Sequence, residues 1–152
     1  MTKSSNLLLR QLELGDFEKG YMNLLGQLTS VGDVTFEKFR DRYEFISKHP
    51  EIFKIAVIED LDEEKIIGSA ALIIEAKFIH DCGKASQSTF VLVPAPVVYN
   101  YLTSDPHKQV GHIEDVVVNS NYRGQRLGFQ VVEQCIKWSK DEGCYKIILD
   151  CM

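Results

Sequence analysis

Short apolar runs alternate with amphipathic stretches along the chain, and the runs predict five β-strands. These runs are rich in β-branched and other apolar residues and comprise residues 7–12, 52–59, 66–75, 111–118 and 145–149. An acidic turn, Asp60 to Lys65, separates the second run from the third and predicts a β-hairpin. The run that ends at Val116, Val117 and Val118 is apolar on both faces, as expected for a central strand.

The amphipathic stretches predict three helices. Asp16 is a candidate N-cap for the first helix, whose apolar stripe comprises Phe17, Tyr21, Leu24, Leu25 and Leu28. Thr35 is a candidate cap for the second helix, which His49-Pro50 should end, and the third runs from Leu127 to about Lys140, before Gly143. The order β α α β β β α β predicts an α/β (α+β) fold with a mixed sheet covered by helices.

One long segment interrupts this regularity. Residues 85–109 contain three of the four prolines, and Pro94 and Pro96 lie inside an apolar run. Proline removes a donor from a β-ladder, so a central strand is excluded there. A connection of this length between two strands predicts an inserted loop. Three interpretations of it are open: a lid, an insertion or a disordered segment.

Size and charge narrow the class of protein. The chain has 152 residues with 45% hydrophobic content, which fits a single domain over 1–152, and its formal net charge is −5. It therefore lacks the basic footprint that holds nucleic acid or an anionic membrane surface. Neither a membrane span nor a secretory signal is evident, and the scattered Cys82, Cys135, Cys144 and Cys151 lack metal-ligand spacing. We expect a cytoplasmic protein with reduced thiols and no metal.

A glycine-containing turn joins the central strand to the third helix. This turn, Arg123 to Gly128, follows Val118 closely and leads directly into the amphipathic stretch. Free N–H groups at a helix N-terminus and the close backbone approach that glycine permits suit a pyrophosphate group. Many such turns need glycine for shape alone, so both interpretations stay open at this point.

The turn resembles the acetyl-CoA signature of the GCN5-related N-acetyltransferases: Arg or Gln, two residues, Gly, one residue, then Gly or Ala. Arg126 stands where that signature has glycine, which we expect to be acceptable if the backbone there is already helical. Three further blocks, 77–80, 111–116 and 144–151, resemble the branch of the family that acetylates glucosamine 6-phosphate. The resemblance covers residues 7–84 and 110–151 and implies the GNAT-like fold.

The resemblance implies direct acetyl transfer from acetyl-CoA, a cosubstrate, to the sugar amine in a ternary complex, on the route to UDP-N-acetylglucosamine. It implies a homodimer and neither a protein nucleophile nor a metal. The residues implied to bind acetyl-CoA are Val116, Val117, Val118, Arg123, Gly124, Gln125, Arg126, Leu127 and Gly128. The residues implied to bind the sugar phosphate are Thr29, Lys77, Phe78, Ile79, His80, Glu114, Asp115, Val116, Tyr145, Lys146 and Asp150.

Glu114 and Asp115 are the expected catalytic residues, because they are adjacent acids on an otherwise apolar strand and would position the substrate. Strand alternation predicts that their side chains point to opposite faces. The alternative is a carboxylate that pairs with a lysine or caps a turn. Three further residues have alternatives to substrate binding: His80 as a structural histidine, Thr29 as a turn cap and Asp150 as a solvated strand end.

Two departures from the family pattern change the expectations for activity. The first is the segment after Lys84, and the second is that the family's last helix and strand, with a tyrosine near the CoA sulfur, are missing. We therefore expect a poor enzyme whose strand 145–149 has an uncovered edge and promotes self-association. The competing hypothesis is a truncated, noncatalytic module that binds CoA or dimerises.

Overall fold

The described residues of the computed structural model are 6–76, 97–100 and 109–149, and they form a six-stranded sheet in the order β1-β2-β3-β5-β6-β4. The strands are β1 (Leu7–Gln11), β2 (Phe53–Asp60), β3 (Lys65–Ala76), β4 (Val97–Asn100), β5 (Gln109–Val118) and β6 (Cys144–Leu149). Neighbouring strands are antiparallel except β5 and β6, which are parallel. The five predicted strands and the β2-β3 hairpin are therefore confirmed.

Strand β4 corrects two expectations. It lies within the predicted inserted loop 85–109, and it pairs antiparallel with β6, so that Val97 is opposite Leu149. The expectation of an uncovered edge at 145–149 is therefore wrong, and the self-association expected from that edge loses its stated reason. The four residues of β4 follow Pro96 and contain no proline, so every residue of this short edge strand keeps its N–H group. Gln109, the last residue of the predicted loop, already belongs to β5.

Two of the predicted helices are confirmed. Helix α2 (Phe36–Ser47) is capped by Thr35, whose Oγ1 accepts a 3.4 Å hydrogen bond from the backbone N of Lys38. Helix α3 (Leu127–Asp141) ends before Gly143, which has φ 76°. None of the described helices is long and apolar enough to cross a membrane.

The predicted first helix is wrong in its extent. Residues Leu14–Phe17 form a 3-10 turn, and α1 covers only Tyr21–Leu25, because Gly20 between them has φ 79°. Asp16 is a buried member of the 3-10 turn and not a helix cap. The apolar spacing had the right period, but it did not show where the backbone reverses.

The helices cover both faces of the sheet. Helix α3 packs on one face over a core that includes Ile58, Leu72 and Ile113. Helices α1 and α2 pack on the other face, where Leu24 and Phe39 meet Val117. Consequently β5, which contributes to both cores, separates an α3 side from an α1/α2 side.

A buried ionic cluster joins β1, the first 3-10 turn and β2. The Arg10 guanidinium donates two hydrogen bonds to Asp16, at 2.8 and 2.7 Å, and two to Glu59 Oε2, at 3.1 and 2.5 Å. Lys19 Nζ donates to Glu59 Oε1 at 2.5 Å. Burial alone would raise the pKa of Glu59, but the hydrogen bonds from Lys19 and Arg10 outweigh it and lower that pKa below its usual value.

The lowered pKa of Glu59 gives stability a defined pH dependence. A depressed native pKa stabilises the fold above the unfolded-state pKa of about 4.3, and this contribution is lost as the pH falls through the native pKa. We expect Glu59→Gln to reduce the free energy of unfolding at pH 7 by roughly 1.5–3 kcal/mol, because hydrogen bonds to a charged group are lost. The difference from the parent should shrink below pH 4 in urea unfolding followed by circular dichroism. Glu44→Gln, on the exposed side of α2, is the matched control, and an undiminished difference at pH 3.5 would contradict the charged role of Glu59.

Candidate active site

The described pairing between β5 and β6 covers the first half of β5. The described part of β6, which ends at Leu149, pairs with β5 from Gln109 to Ile113, whereas β3 pairs with β5 as far as Val118. The N–H of Asn119 donates to Ile67 on β3 at 2.8 Å. Because successive strand residues alternate between the two edges, the N–H groups of Val116 and Val118 point to the other edge, beyond the last β6 partner.

A cleft of about 940 Å³ lies between this part of the sheet and α3. Val116 of β5 and Leu149 of β6 line it on one side, and Phe129, Val132 and Ile136 of α3 line it on the other. The walls are mostly apolar, and Gly128 lies where the cleft meets the start of α3. An elongated ligand could therefore run from the glycine turn to the free edge of β5.

The glycine turn leads into α3 through two left-handed residues. After the 3-10 turn Ser120–Tyr122, Gly124 has φ 83° and Arg126 has φ 59°, and α3 begins at Leu127. The backbone at Arg126 is therefore not helical, and the expectation stated for this residue is wrong. The chain must reverse direction between the turn and the helix, and an arginine occupies this glycine-favouring position. The N–H groups of the first helical turn have no acceptor within the helix.

A β-bulge lies at the two candidate acids. Glu114 is opposite Ala71 and Val117 is opposite Ser69, so Asp115 and Val116 together face the single residue between them. Asp115 has φ 52°, a left-handed conformation that an uninterrupted strand does not contain. After the bulge the strand alternation resumes, so that Val116 packs against the α3 core and Val117 packs in the α1/α2 core.

The bulge overturns the predicted orientation of the two acids. Ile113 and its partner Leu72 face α3, so Glu114 and its partner Ala71 face the α1/α2 side. Asp115 lines a pocket of about 410 Å³ between α1, α2 and the sheet. Both acids are therefore on one side of the sheet, and the expectation that they point to opposite faces is wrong.

Tyr21 lies close to Asp115 in this pocket. Burial, with an added contribution from the Asp115 charge, raises the pKa of Tyr21 to about 12, so its hydroxyl stays protonated near neutral pH. The α1/α2 pocket thus combines an exposed carboxylate with a neutral hydroxyl, largely apolar walls and the cationic side chains of Lys38 and Arg42. Periodicity alone assigned Tyr21 to the core.

The remaining predicted substrate residues fall into three groups. Thr29 is exposed just after α1, and the neighbouring Gln27 Oε1 accepts a 2.9 Å bond from the N–H of Ser120, which leads toward the glycine turn. Tyr145 and Lys146 are half-buried at the start of β6, and Lys146 is beside Val110, which at about 3.3 Å per residue is roughly 17 Å from Asp115. Lys77, Phe78, Ile79, His80 and Asp150 lie outside the described residues.

Comparison with known proteins identifies the family. The profile of the Acetyltransferase (GNAT) family matches residues 21–152. The chain belongs to the GNAT family of acetyltransferases. It is 41% identical to glucosamine 6-phosphate N-acetyltransferase of Arabidopsis thaliana, over 94% of this chain and 79% of the relative. It is 39% identical to glucosamine 6-phosphate N-acetyltransferase 1 of Dictyostelium discoideum, over 93% of this chain and 74% of the relative.

The solved structures agree with the fold of this acetyltransferase. The crystal structure of the Arabidopsis glucosamine-6-phosphate N-acetyltransferase superimposes with a TM-score of 0.78 at 38% identity, covering 97% of this chain and 83% of that one. The predicted GNAT-like fold is therefore confirmed, as is the predicted acyltransferase class. Enzymes of this family use acetyl-CoA.

The acetyltransferase offers no activated thiol in its described part. Burial raises the pKa of both Cys135 and Cys144 to about 12, so each remains a protonated thiol inside the core. Among the described residues, no group of three or more His, Cys, Asp or Glu side chains could hold a metal ion.

The left-handed conformation of Arg126 predicts a stabilising substitution. This conformation lowers the stability of the fold by about 1–2 kcal/mol when the residue has a Cβ. Glycine avoids that cost, but its greater freedom in the unfolded chain offsets roughly 0.5–1 kcal/mol of the gain. We expect Arg126→Gly to raise the free energy of unfolding by up to about 1 kcal/mol in urea denaturation. Arg123→Gly is the matched control, since Arg123 has φ −63° and the same change there should destabilise. Equal effects at the two positions would contradict the backbone assignment.

Proposed function

We propose that this chain is a glucosamine 6-phosphate N-acetyltransferase, which transfers the acetyl group of acetyl-CoA to the 2-amino group of glucosamine 6-phosphate. The observation that carries the proposal is the bulge, which sets Glu114 and Asp115 on one side of the sheet beside the free edge at Val116 to Val118. The similarity to the Arabidopsis and Dictyostelium enzymes supports this choice of acceptor.

The donor side of the site is formed by the glycine turn and the cleft. Backbone N–H groups of Arg123, Gly124, Gln125, Arg126, Leu127 and Gly128 would hold the pyrophosphate, helped by the favourable end of the α3 dipole. The apolar cleft walls suit the pantetheine arm. The N–H groups of Val116 and Val118, on either side of Val117, would then bond the amides of that arm and polarise the thioester carbonyl.

The acceptor side is formed by the acids of the bulge. Glu114 and Asp115 would accept hydrogen bonds from the sugar amine and hydroxyls and hold the amine in place for attack. Thr29, Lys77, Phe78, Ile79, His80 and Asp150 are proposed further contacts to the sugar phosphate. Tyr145 and Lys146 are distant from Asp115 in their own chain, which supports the proposal that one of them reaches the site of a partner subunit in a homodimer.

The reaction needs no covalent enzyme intermediate. The neutral amine forms a bond to the acetyl carbon, the carbon–sulfur bond breaks, and the sulfur leaves as a thiolate. The nitrogen gives up one proton and the thiolate takes up one, so acetyl-CoA and the amine become CoA and the amide. The protonated state of Cys135 and Cys144 supports this direct route over an acyl-cysteine.

We also propose the setting in which this activity operates. The two buried thiols in the described core support a reducing compartment, the cytoplasm. The product would enter the synthesis of UDP-N-acetylglucosamine. One domain over 1–152, with part of residues 85–109 inserted relative to the family, is the proposed organisation.

Donor binding is tested at Gly128. A Cβ at this position would meet only the Val118 side chain, at 3.6 Å, so substitution should leave the fold intact. We expect Gly128→Asp to weaken acetyl-CoA binding at least tenfold, about 1.4 kcal/mol, because a carboxylate would lie beside the phosphates. Isothermal titration calorimetry measures the loss, and Gly128→Ala separates the effect of charge from that of size. Unchanged affinity in folded Gly128→Asp would remove the donor assignment.

Acceptor binding is tested at Asp115. Asp115→Asn keeps the size and removes the charge, so turnover of glucosamine 6-phosphate should fall roughly 10- to 150-fold, as expected for hydrogen bonds worth about 1.5–3 kcal/mol. Affinity for CoA should stay within twofold. Asp141→Asn, exposed at the far end of α3, is the control and should retain parental activity in a thiol-release assay. Full activity of Asp115→Asn would overturn the acceptor assignment, whereas binding of CoA without any turnover by the parent chain would favour the noncatalytic module.

A further inference from the structure

Asp60 is a buried carboxylate held by hydrogen bonds. It is the last residue of β2 and only 3% exposed. Its Oδ1 accepts from the N–H groups of Asp62 and Glu63, at 3.0 and 3.3 Å, and its Oδ2 accepts from the Tyr122 hydroxyl at 2.8 Å. Within the described part of the chain, no cation forms an ion pair with it. The tyrosine is therefore one of three donors that compensate its buried charge.

Tyr122 lies at the entrance to the glycine turn. It ends the 3-10 turn Ser120–Tyr122 and immediately precedes Arg123. Its bond therefore ties the backbone that leads into residues 123–128 to the end of the β2-β3 hairpin. The segment before it is held by the bond from the Asn119 N–H to the Ile67 carbonyl on β3, at 2.8 Å, by an exposed bond from Ser120 to Gln27, and by local bonds from the Asn121 and Tyr122 N–H groups to Asn119. The Tyr122 hydroxyl makes the bond nearest to the glycine turn that reaches another element.

An array of N–H groups binds a diphosphate well only if its geometry is set in advance. The turn 123–128 contains two left-handed residues, Gly124 and Arg126, and would lose conformational freedom on binding if it were free to move. A charge-assisted bond at its entrance reduces that cost, because the turn is already held when the ligand arrives.

From this arrangement we propose that Tyr122 is a positioning residue for the acetyl donor. Its hydrogen bond to Asp60, which we call the loop tether, places the N–H groups of residues 123–128 for the nucleotide diphosphate of the donor. The inference rests on the proposed function and adds to it a residue outside the signature. The bond from Tyr122 to Asp60 also raises the pKa of Tyr122 to about 12, so the hydroxyl remains a donor throughout the range in which activity is measured.

The experiment compares two acetyl donors in the Tyr122→Phe variant. S-acetylpantetheine carries the thioester but lacks the nucleotide diphosphate, so the loop tether cannot influence it. We expect the KM for acetyl-CoA to rise at least threefold, with kcat and the KM for glucosamine 6-phosphate within twofold of the parent. The kcat/KM for S-acetylpantetheine should not change.

Two further variants separate positioning from general stability. In Asp60→Asn the amide can donate to the Tyr122 oxygen while its own oxygen still accepts from the hairpin turn, so most of the acetyl-CoA affinity should be kept. Ser47→Ala on α2 removes a hydroxyl that donates to the Glu44 carbonyl oxygen, outside both proposed substrate sites, and should leave both donors unaffected. An equal loss with both donors, or a fall in Tm with unchanged KM for acetyl-CoA, would overturn the loop tether.

The loop tether and the proposed function can fail separately. If the parent transfers no acetyl to glucosamine 6-phosphate, the proposed function fails, and calorimetry with CoA still tests the loop tether by comparing parent with Tyr122→Phe. At least threefold weaker CoA binding in the variant supports the loop tether in that case. Equal affinities would overturn it.

Discussion

Strand β5 pairs with β3 along its length, with one bulge, whereas the described part of β6 pairs only with its first half. The pairing with β3 anchors the second half of β5 in the sheet and leaves the N–H groups of Val116 and Val118 directed to the opposite edge. The cleft lined by Val116 and the pocket lined by Asp115 both lie along this second half. The ionic cluster around Arg10 stiffens the opposite side of the sheet, where β1 and β2 meet the first 3-10 turn.

The bulge at Asp115 gives the two sides of β5 different chemistry. On the α3 side Val116 lines an apolar cleft and Val118 packs against the core, and on the α1/α2 side the strand presents the two acids. One inserted residue thus allows a strand with an apolar core on both faces to carry adjacent carboxylates without burying them. In the proposed function, donor and acceptor then approach the same short stretch of backbone from different sides of the sheet.

The parts predicted correctly from sequence are those governed by local period and capping. Apolar runs located five strands, and Thr35 and Gly143 marked helix ends, because these signals act within a few residues. Strand β4 was missed because Pro94 and Pro96 in the same apolar run argued against a strand, although the four residues after Pro96 contain no proline. The orientation of Glu114 and Asp115 was missed because a bulge leaves no mark on hydrophobic alternation. Tyr122 stands next to the signature, but its bond to Asp60 spans two separate elements and only the folded chain reveals it.

The position of β4 has a consequence for the order in which the molecule assembles. This strand is synthesised before β5 and β6, yet its ladder partner is β6, at the far end of the described chain. It therefore cannot join the sheet until β6 has docked beside β5, which makes the outer edge a late, high-contact-order step in folding. During synthesis on the ribosome, the β4 segment therefore stays unpaired while the rest of the sheet forms. In that interval both it and the outer edge of β6 are open to pairing with other chains, so newly made protein is more prone to aggregate than the folded molecule.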